Sequence, residues 1–96
     1  MIPGTTTKLS ESTVASAASI SAKSDIVKVT GTTQVNTILP NFGGGFSGTV
    51  VLIPTDGAVI LGTSGNILVG ITMAQNRAVT LTFVKSTGKW YVESGV

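Results

Sequence analysis

The 96-residue chain contains no cysteine, no histidine, only four carboxylates and only five aromatic residues. Each scarcity removes a class of chemistry. Without cysteine there is no disulfide framework and no thiolate. Without histidine the usual general base and the commonest metal ligand are missing. The carboxylates, Glu11, Asp25, Asp56 and Glu93, are spread along the chain with no spacing that resembles a metal-binding loop. The many Ser and Thr hydroxyls have no imidazole to activate them, so neither an enzyme nor a cofactor is expected. The longest aliphatic runs, Val50 to Ile53 and Ala58 to Leu61, are far short of the roughly 20 residues a membrane helix needs. No basic region followed by an apolar stretch opens the sequence, and the expectation is a soluble chain made in the cytoplasm, with no membrane partner. The six basic residues, Lys8, Lys23, Lys28, Arg77, Lys85 and Lys89, are dispersed, so the pI near 9.3 reflects no cluster of the kind that tracks nucleic acid.

What remains is apolar and β-branched. Hydrophobic residues make up 42% and charged residues 10%, against about 25% charged in an ordinary soluble domain. A domain of this size buries only about two-thirds of its unfolded surface and usually needs a supplementary source of stability. With disulfides and metals excluded, self-association is the remaining remedy. Two strands carry apolar residues on both faces: Val50, Val51, Leu52 and Ile53 leave no polar position for water. Aliphatic faces repeated around a threefold axis account for this and for the low charge, and a homotrimer is the expected state.

Residues 1–24 are rich in Ser, Thr and Ala, have no aromatic, and read as an extended N-terminal arm attached to a β domain spanning 25–96. In the domain, Asp25 to Thr30 and Thr33 to Leu39 alternate around Gly31-Thr32 and predict a hairpin, with Val35, Thr37 and Leu39 on one face. Pro40 stops the second run. Thr49 to Ile53, Ala58 to Leu61, Ile67 to Met73, Ala78 to Val84 and Lys89 to Val92 follow, separated by turns that include Asp56-Gly57 and Ser86-Thr87-Gly88. About seven short strands at this spacing predict an all-β, jelly-roll-like sandwich or barrel. Leu81 and Phe83 fall on the inward face. Trp90 and Tyr91 fall on opposite faces, one for the core and one for the surface.

The string Gly43-Gly44-Gly45-Phe46-Ser47-Gly48 matches G-x-G-x-x-G, but it leads into a strand instead of opening a helix, and no βαβ unit follows. It reads as a flexible corner.

Ala58 to Trp90 carries a recognisable order: a strand, Gly65-Asn66-Ile67, a strand, Arg77-Ala78-Val79-Thr80-Leu81-Thr82-Phe83, then Gly88-Lys89-Trp90-Tyr91. Over about residues 26–92 the chain resembles a small β module of tailed-bacteriophage virion proteins, found in head decoration proteins and head fibres and at the ends of tail fibres and tailspikes, generally as trimers. In residue terms, Gly65-Asn66 suits a turn with positive φ, after which Ile67 re-enters the core. The resemblance implies a structural protein of the virion, made in the host cytoplasm, with the major capsid protein and further copies of itself as partners. A decoration protein would touch the shell through its arm, with Ile2, Pro3, Lys8, Val14 and Ile20 as contacts. The alternative is the tip of a tail or head fibre that binds a receptor or glycan through Tyr91, Trp90 and the loop from Phe42 to Phe46.

Overall fold

The structure, a computed structural model, describes residues 10–40 and 45–94. Phe42, and with it Ile2, Pro3 and Lys8, lies outside the described residues. Nine strands form among the described residues, most of them rich in Val, Ile, Leu and Thr, which fit a pleated half-buried surface. They are β1 (Glu11–Ala15), β2 (Ser19–Ser21), β3 (Ile26–Thr30), β4 (Thr37–Leu39), β5 (Gly48–Pro54), β6 (Val59–Leu61), β7 (Ile71–Met73), β8 (Val79–Val84) and β9 (Lys89–Ser94).

The all-β expectation holds, but the pairing differs from a hairpin series. A five-stranded sheet runs in the order β1-β3-β5-β8-β9, and β2 pairs with β4 and β6 with β7 in two shorter sheets. β1, β3 and β5 are mutually parallel, as are β2 and β4, whereas β8 and β9 are antiparallel to their neighbours. A jelly roll is antiparallel throughout. Nor does a barrel close, since β1 and β9 are separate ends of the sheet. The expected hairpin of 25–30 with 33–39 is absent: β3 lies between β1 and β5, and β4 joins β2 in another sheet.

The first six strands therefore form three stacked turns of chain, each crossing from the five-stranded sheet to the second layer. Glu11 pairs with Ile26, 15 positions on, and Ile26 pairs with Val51, 25 positions on. In the second layer Ser19 pairs with Thr37, and a bridge from Val35 to Leu61 stitches β4's approach to β6. That stitch consists of the Val35 N–H donating to the Ile60 carbonyl at 2.9 Å and the Gly62 N–H donating to the Val35 carbonyl at 2.8 Å.

Alternation decides what is buried. Val27 and Val29 of β3, Val50 and Leu52 of β5, Val79, Leu81 and Phe83 of β8, and Trp90 of β9 point inward from the five-stranded sheet. Ile20, Ile38, Val59, Leu61 and Met73 meet them from the second layer, joined by Val35 and Ile67, in one cluster. Each such side chain contributes roughly 1.5–3 kcal/mol through removal from water. The faces expected for 33–39 shift accordingly: Val35 is buried, Ile38 takes the inward position in β4, and Leu39 turns to solvent.

Two further strands come from the segment expected to be an arm. β1 and β2 pair within the sheets, and Ile20 and Ala22 are in the core. Ser24 is buried too, its hydroxyl donating to the Ile26 carbonyl at 2.6 Å and meeting the Ser12 hydroxyl at 2.7 Å. Small side chains here reflect close strand packing, not a lack of structure.

Among the described residues the left-handed positions are Gly31, Asn76 and Gly88, with φ of 72°, 62° and 65°. Gly31 ends β3 and donates its N–H to Asp56 Oδ2 at 2.8 Å, tying two turns of the stack together. Gly88 closes the β8–β9 hairpin, its N–H donating to the Val84 carbonyl. The expected positive φ at Gly65-Asn66 is not found; those residues have a different task.

Candidate interaction surface

Gly65-Asn66-Ile67 and Lys89-Trp90, distant in sequence, meet in space. The Trp90 N–H donates to the Asn66 carbonyl at 2.8 Å, the Leu68 N–H donates to the Trp90 carbonyl at 3.0 Å, and Lys89 Nζ donates to the Gly65 carbonyl at 3.0 Å. The Asn66 side chain then reaches β4: its Oδ1 accepts the Ile38 N–H at 2.9 Å and its Nδ2 donates to the Ile38 carbonyl at 2.7 Å. An amide in this position supplies the donor and acceptor that a neighbouring strand would otherwise give. The Ile38 carbonyl also accepts from Trp90 Nε1 at 2.9 Å. One buried peptide thus joins the second layer to β9.

Gly65 makes the approach possible. A Cβ built there would overlap Thr37 Oγ1 and the backbone carbonyl of Asn36, and the backbone cannot swing aside as a side chain would. Gly65→Ala is expected to lower the urea midpoint by an amount equivalent to about 1–3 kcal/mol, the usual cost of forced overpacking. An unchanged midpoint would mean that the loop moves freely away from β4.

Four aliphatic side chains around this clamp and the short strands stay exposed. Leu39 of β4 and Ile60 of β6 point away from buried neighbours and are 51% and 48% exposed, and Leu68 and Val69, entering β7, are 47% and 48% exposed. Thr72 faces outward beside Ile60, its cross-strand partner. β4, β6 and β7 contain no charged residue, and Asp56 is the sole charge between Lys28 and Arg77. The outer face of the five-stranded sheet differs. Its apolar members Ile26, Val51 and Ile53 are half-buried, and the Glu11 carboxylate lies 3.7 Å from Lys28 Nζ at one side.

A second feature is the edge of the five-stranded sheet. The Ile26 N–H donates to the Ser10 carbonyl and the Ser16 N–H to the Thr30 carbonyl. With the parallel register, this assigns residues 12 and 14 to the ladder with β3 and turns the backbone groups of Glu11, Thr13 and Ala15 outward. No strand among the described residues lies beyond β1. At the opposite end, β9 is covered by 66–68 through the bonds already described.

The residues expected to make contacts divide unevenly. Ile20 is 3% exposed and belongs to the core, so it has no surface to offer a shell. Val14 is half-buried and packs against the same core. Phe46 is 67% exposed, just before β5. Tyr91 is half-buried, and its hydroxyl lies 3.3 Å from Thr87 Oγ1. Trp90 is fully buried with its ring centroid 5.1 Å from that of Phe83, and cannot stack on a sugar. The exposure of Leu68 and Val69 is not legible in the sequence because Ile67 to Met73 reads as one strand, whereas the strand starts at Ile71. The long uncharged interval from Gly57 to Asn76 was the available signal.

Among the described residues there is no group of three or more potential metal ligands, no ligand-sized cavity and no helix long and apolar enough to cross a membrane. The arrangement presents surfaces and a strand edge. Comparison with family models, with curated proteins and with solved structures found no match.

Proposed function

We propose that the chain is a non-enzymatic structural protein of a phage virion, a homotrimer that decorates the capsid surface and has the major capsid protein as its partner. The observation that carries this reading is a closely packed β unit that leaves Leu39, Ile60, Leu68 and Val69 each about half exposed. Apolar area of that kind is a feature of surfaces that are covered in use. The likeness of Gly65-Asn66-Ile67 and Gly88-Lys89-Trp90-Tyr91 to the phage module supports the same reading, since these are the residues that clamp the layers. With Ile20 and most of Val14 turned inward, shell contact falls to the free edge of β1 and to the residues before it. Adding a strand to an open sheet edge is an established mode of docking.

The mechanism is mass action. A protein that binds the assembled lattice and not its separated subunits stabilises the lattice by RT ln(1 + [L]/Kd), about 2.7 kcal/mol at a concentration 100 times Kd. Titrating purified protein onto capsids that lack it is expected to give saturable binding and to raise the temperature at which they release their contents. Particles whose heat and salt resistance is the same with and without it would sink the decoration reading.

Phe46, the most exposed large hydrophobic side chain among the described residues, favours a second reading, a fibre tip that binds a glycan or host receptor through Phe46 and Tyr91. A glycan array and a host-cell adsorption assay separate the two. Retention of glycan by the isolated protein, abolished in Phe46→Ala, is the outcome expected of the tip.

A further inference from the structure

From the backbone bonding of the first turn we infer that β1 and β2 together form a receiving end, on which an extended segment of a partner polypeptide lies as one more turn of the stack. The inference deepens the decoration reading, in which that segment belongs to the major capsid protein. The outward groups of Glu11, Thr13 and Ala15 have a counterpart in the second layer. The Thr37 N–H donates to the Ala18 carbonyl at 3.0 Å and the Ala22 N–H to the Leu39 carbonyl at 2.8 Å. With the parallel register this sets Ile20 in the ladder with β4 and turns the backbone groups of Ser19 and Ser21 away from it. No strand among the described residues lies beyond β2, as none lies beyond β1, so both layers end on bare main chain at the same turn. Val14 and Ala17 of that turn pack against the core but stay half-buried, and a further turn would cover them.

The chemistry of these groups names the occupant. Donors and acceptors that repeat about every 6.6 Å along a strand are matched by another extended main chain, not by a glycan or a nucleic acid. Sheet edges that must stay solitary carry Lys, Pro or a bulge, or lie under a covering segment. β9 has Lys89, a register shift against β8 and the cover of 66–68. β1 and β2 have no Lys and no Pro, and β1 runs in unbroken register over Glu11–Ala15. Its ends are held: the Ser10 N–H and hydroxyl donate to Asp25 Oδ2 at 3.2 and 3.1 Å, and Ser16 Oγ accepts the Thr33 N–H at 2.9 Å. A strand fixed before contact loses little freedom on binding. Glu11 adds a preference for a basic side chain on the incoming segment, since its carboxylate already lies 3.7 Å from Lys28 Nζ of the strand on its other side.

The test has two arms, both on full-length protein. In the first, a blocked peptide with the sequence of residues 25–31, which holds the strand β1 already pairs with, is titrated to millimolar concentration while backbone amide resonances are followed by NMR. The largest shifts are expected at Glu11, Thr13 and Ala15; shifts that fall elsewhere, or none, overturn the proposal. In the second arm, binding to capsids that lack the protein is measured by co-sedimentation. Thr13→Pro and Ser19→Pro each remove an outward N–H that the ladder does not use, a change edge strands tolerate. Each is expected to weaken binding about tenfold with unchanged far-ultraviolet circular dichroism. Gln75→Pro, in the exposed turn before β8, is the control and is expected to bind as wild type does. Folded proline variants that bind like wild type overturn the receiving end and leave decoration standing. A wild type that takes the peptide on β1 but binds no capsid supports the receiving end and removes the decoration role. If Thr13→Pro fails to fold, Ser19→Pro and the peptide titration of wild type decide. An oligomer of the free protein that Thr13→Pro dissolves also overturns the proposal, because another copy would then hold the edge.

Discussion

Trp90→Ala is expected to lower the stability of the folded chain by about 3–5 kcal/mol, the range found for removing a large aromatic from a core. The residue is fully buried, packs its ring on Phe83, and donates from Nε1 to the Ile38 carbonyl, so substitution removes packing and a tie between layers at once. Small domains have only about 5–15 kcal/mol in total, so the variant should be partly unfolded at 37 °C. Urea denaturation followed by far-ultraviolet circular dichroism measures the loss. Comparisons belong at one protein concentration, because the midpoint of any self-associating chain depends on it. Trp90→Phe keeps much of the volume and gives up the donor, and a drop of about 0.5–1.5 kcal/mol is expected for that bond, since Asn66 still serves the carbonyl. Equal midpoints for wild type and Trp90→Ala would show that the interior does not depend on this side chain.

Asn66→Ala is the second large effect. Ile38 is 1% exposed, and its N–H has Asn66 Oδ1 as its partner. An unsatisfied buried donor costs about 1–3 kcal/mol, and the lost Nδ2 bond adds to this. Asn66→Asp retains the acceptor but sets a carboxylate oxygen where Nδ2 now lies 2.7 Å from the Ile38 carbonyl, and should be at least as damaging at neutral pH. The carbonyl is shared, so the two sites are coupled. Either Asn66→Ala or Trp90→Phe leaves it one side-chain donor, and the double variant leaves it neither. The double variant is therefore expected to be less stable than the sum of the single effects predicts, by about 0.5–3 kcal/mol. Strict additivity would indicate that water or a rearranged strand takes over the bond.

The same residues show how far the sequence could be read. Val79 to Val84 alternates so regularly that Leu81 and Phe83 were assigned to the core correctly, and the turns at Asp56-Gly57 and Gly88 lie where their backbone preferences put them. Alternation reveals which side of a strand is buried but not which strand is its neighbour. Gly31-Thr32 thus suggested a hairpin, whereas the partners of Ile26 are Glu11 and Val51, in preceding and following turns of the stack. Ser12 to Ala22 gives little signal because its strands are short and pair with parallel neighbours distant in sequence, and only Ile20 and Ala22 enter the core. Asn66 looked like a turn former, since its composition-level preference says nothing of a side chain that reaches back 28 positions to bond a backbone. The exposure of Leu68 and Val69 depends on where β7 begins, which periodicity does not reveal.

The bare flank of β1 has a consequence for hydrogen exchange. Amides of Ser12, Val14 and Ser16 point into the ladder and should exchange slowly, whereas those of Glu11, Thr13 and Ala15 point to water and should exchange within the dead time of a conventional measurement. A residue-by-residue zigzag of protection is thus expected over six positions in the free protein. Docking of a foreign strand there would flatten the zigzag into uniform slowness, and give a direct readout of whether that edge accepts a partner.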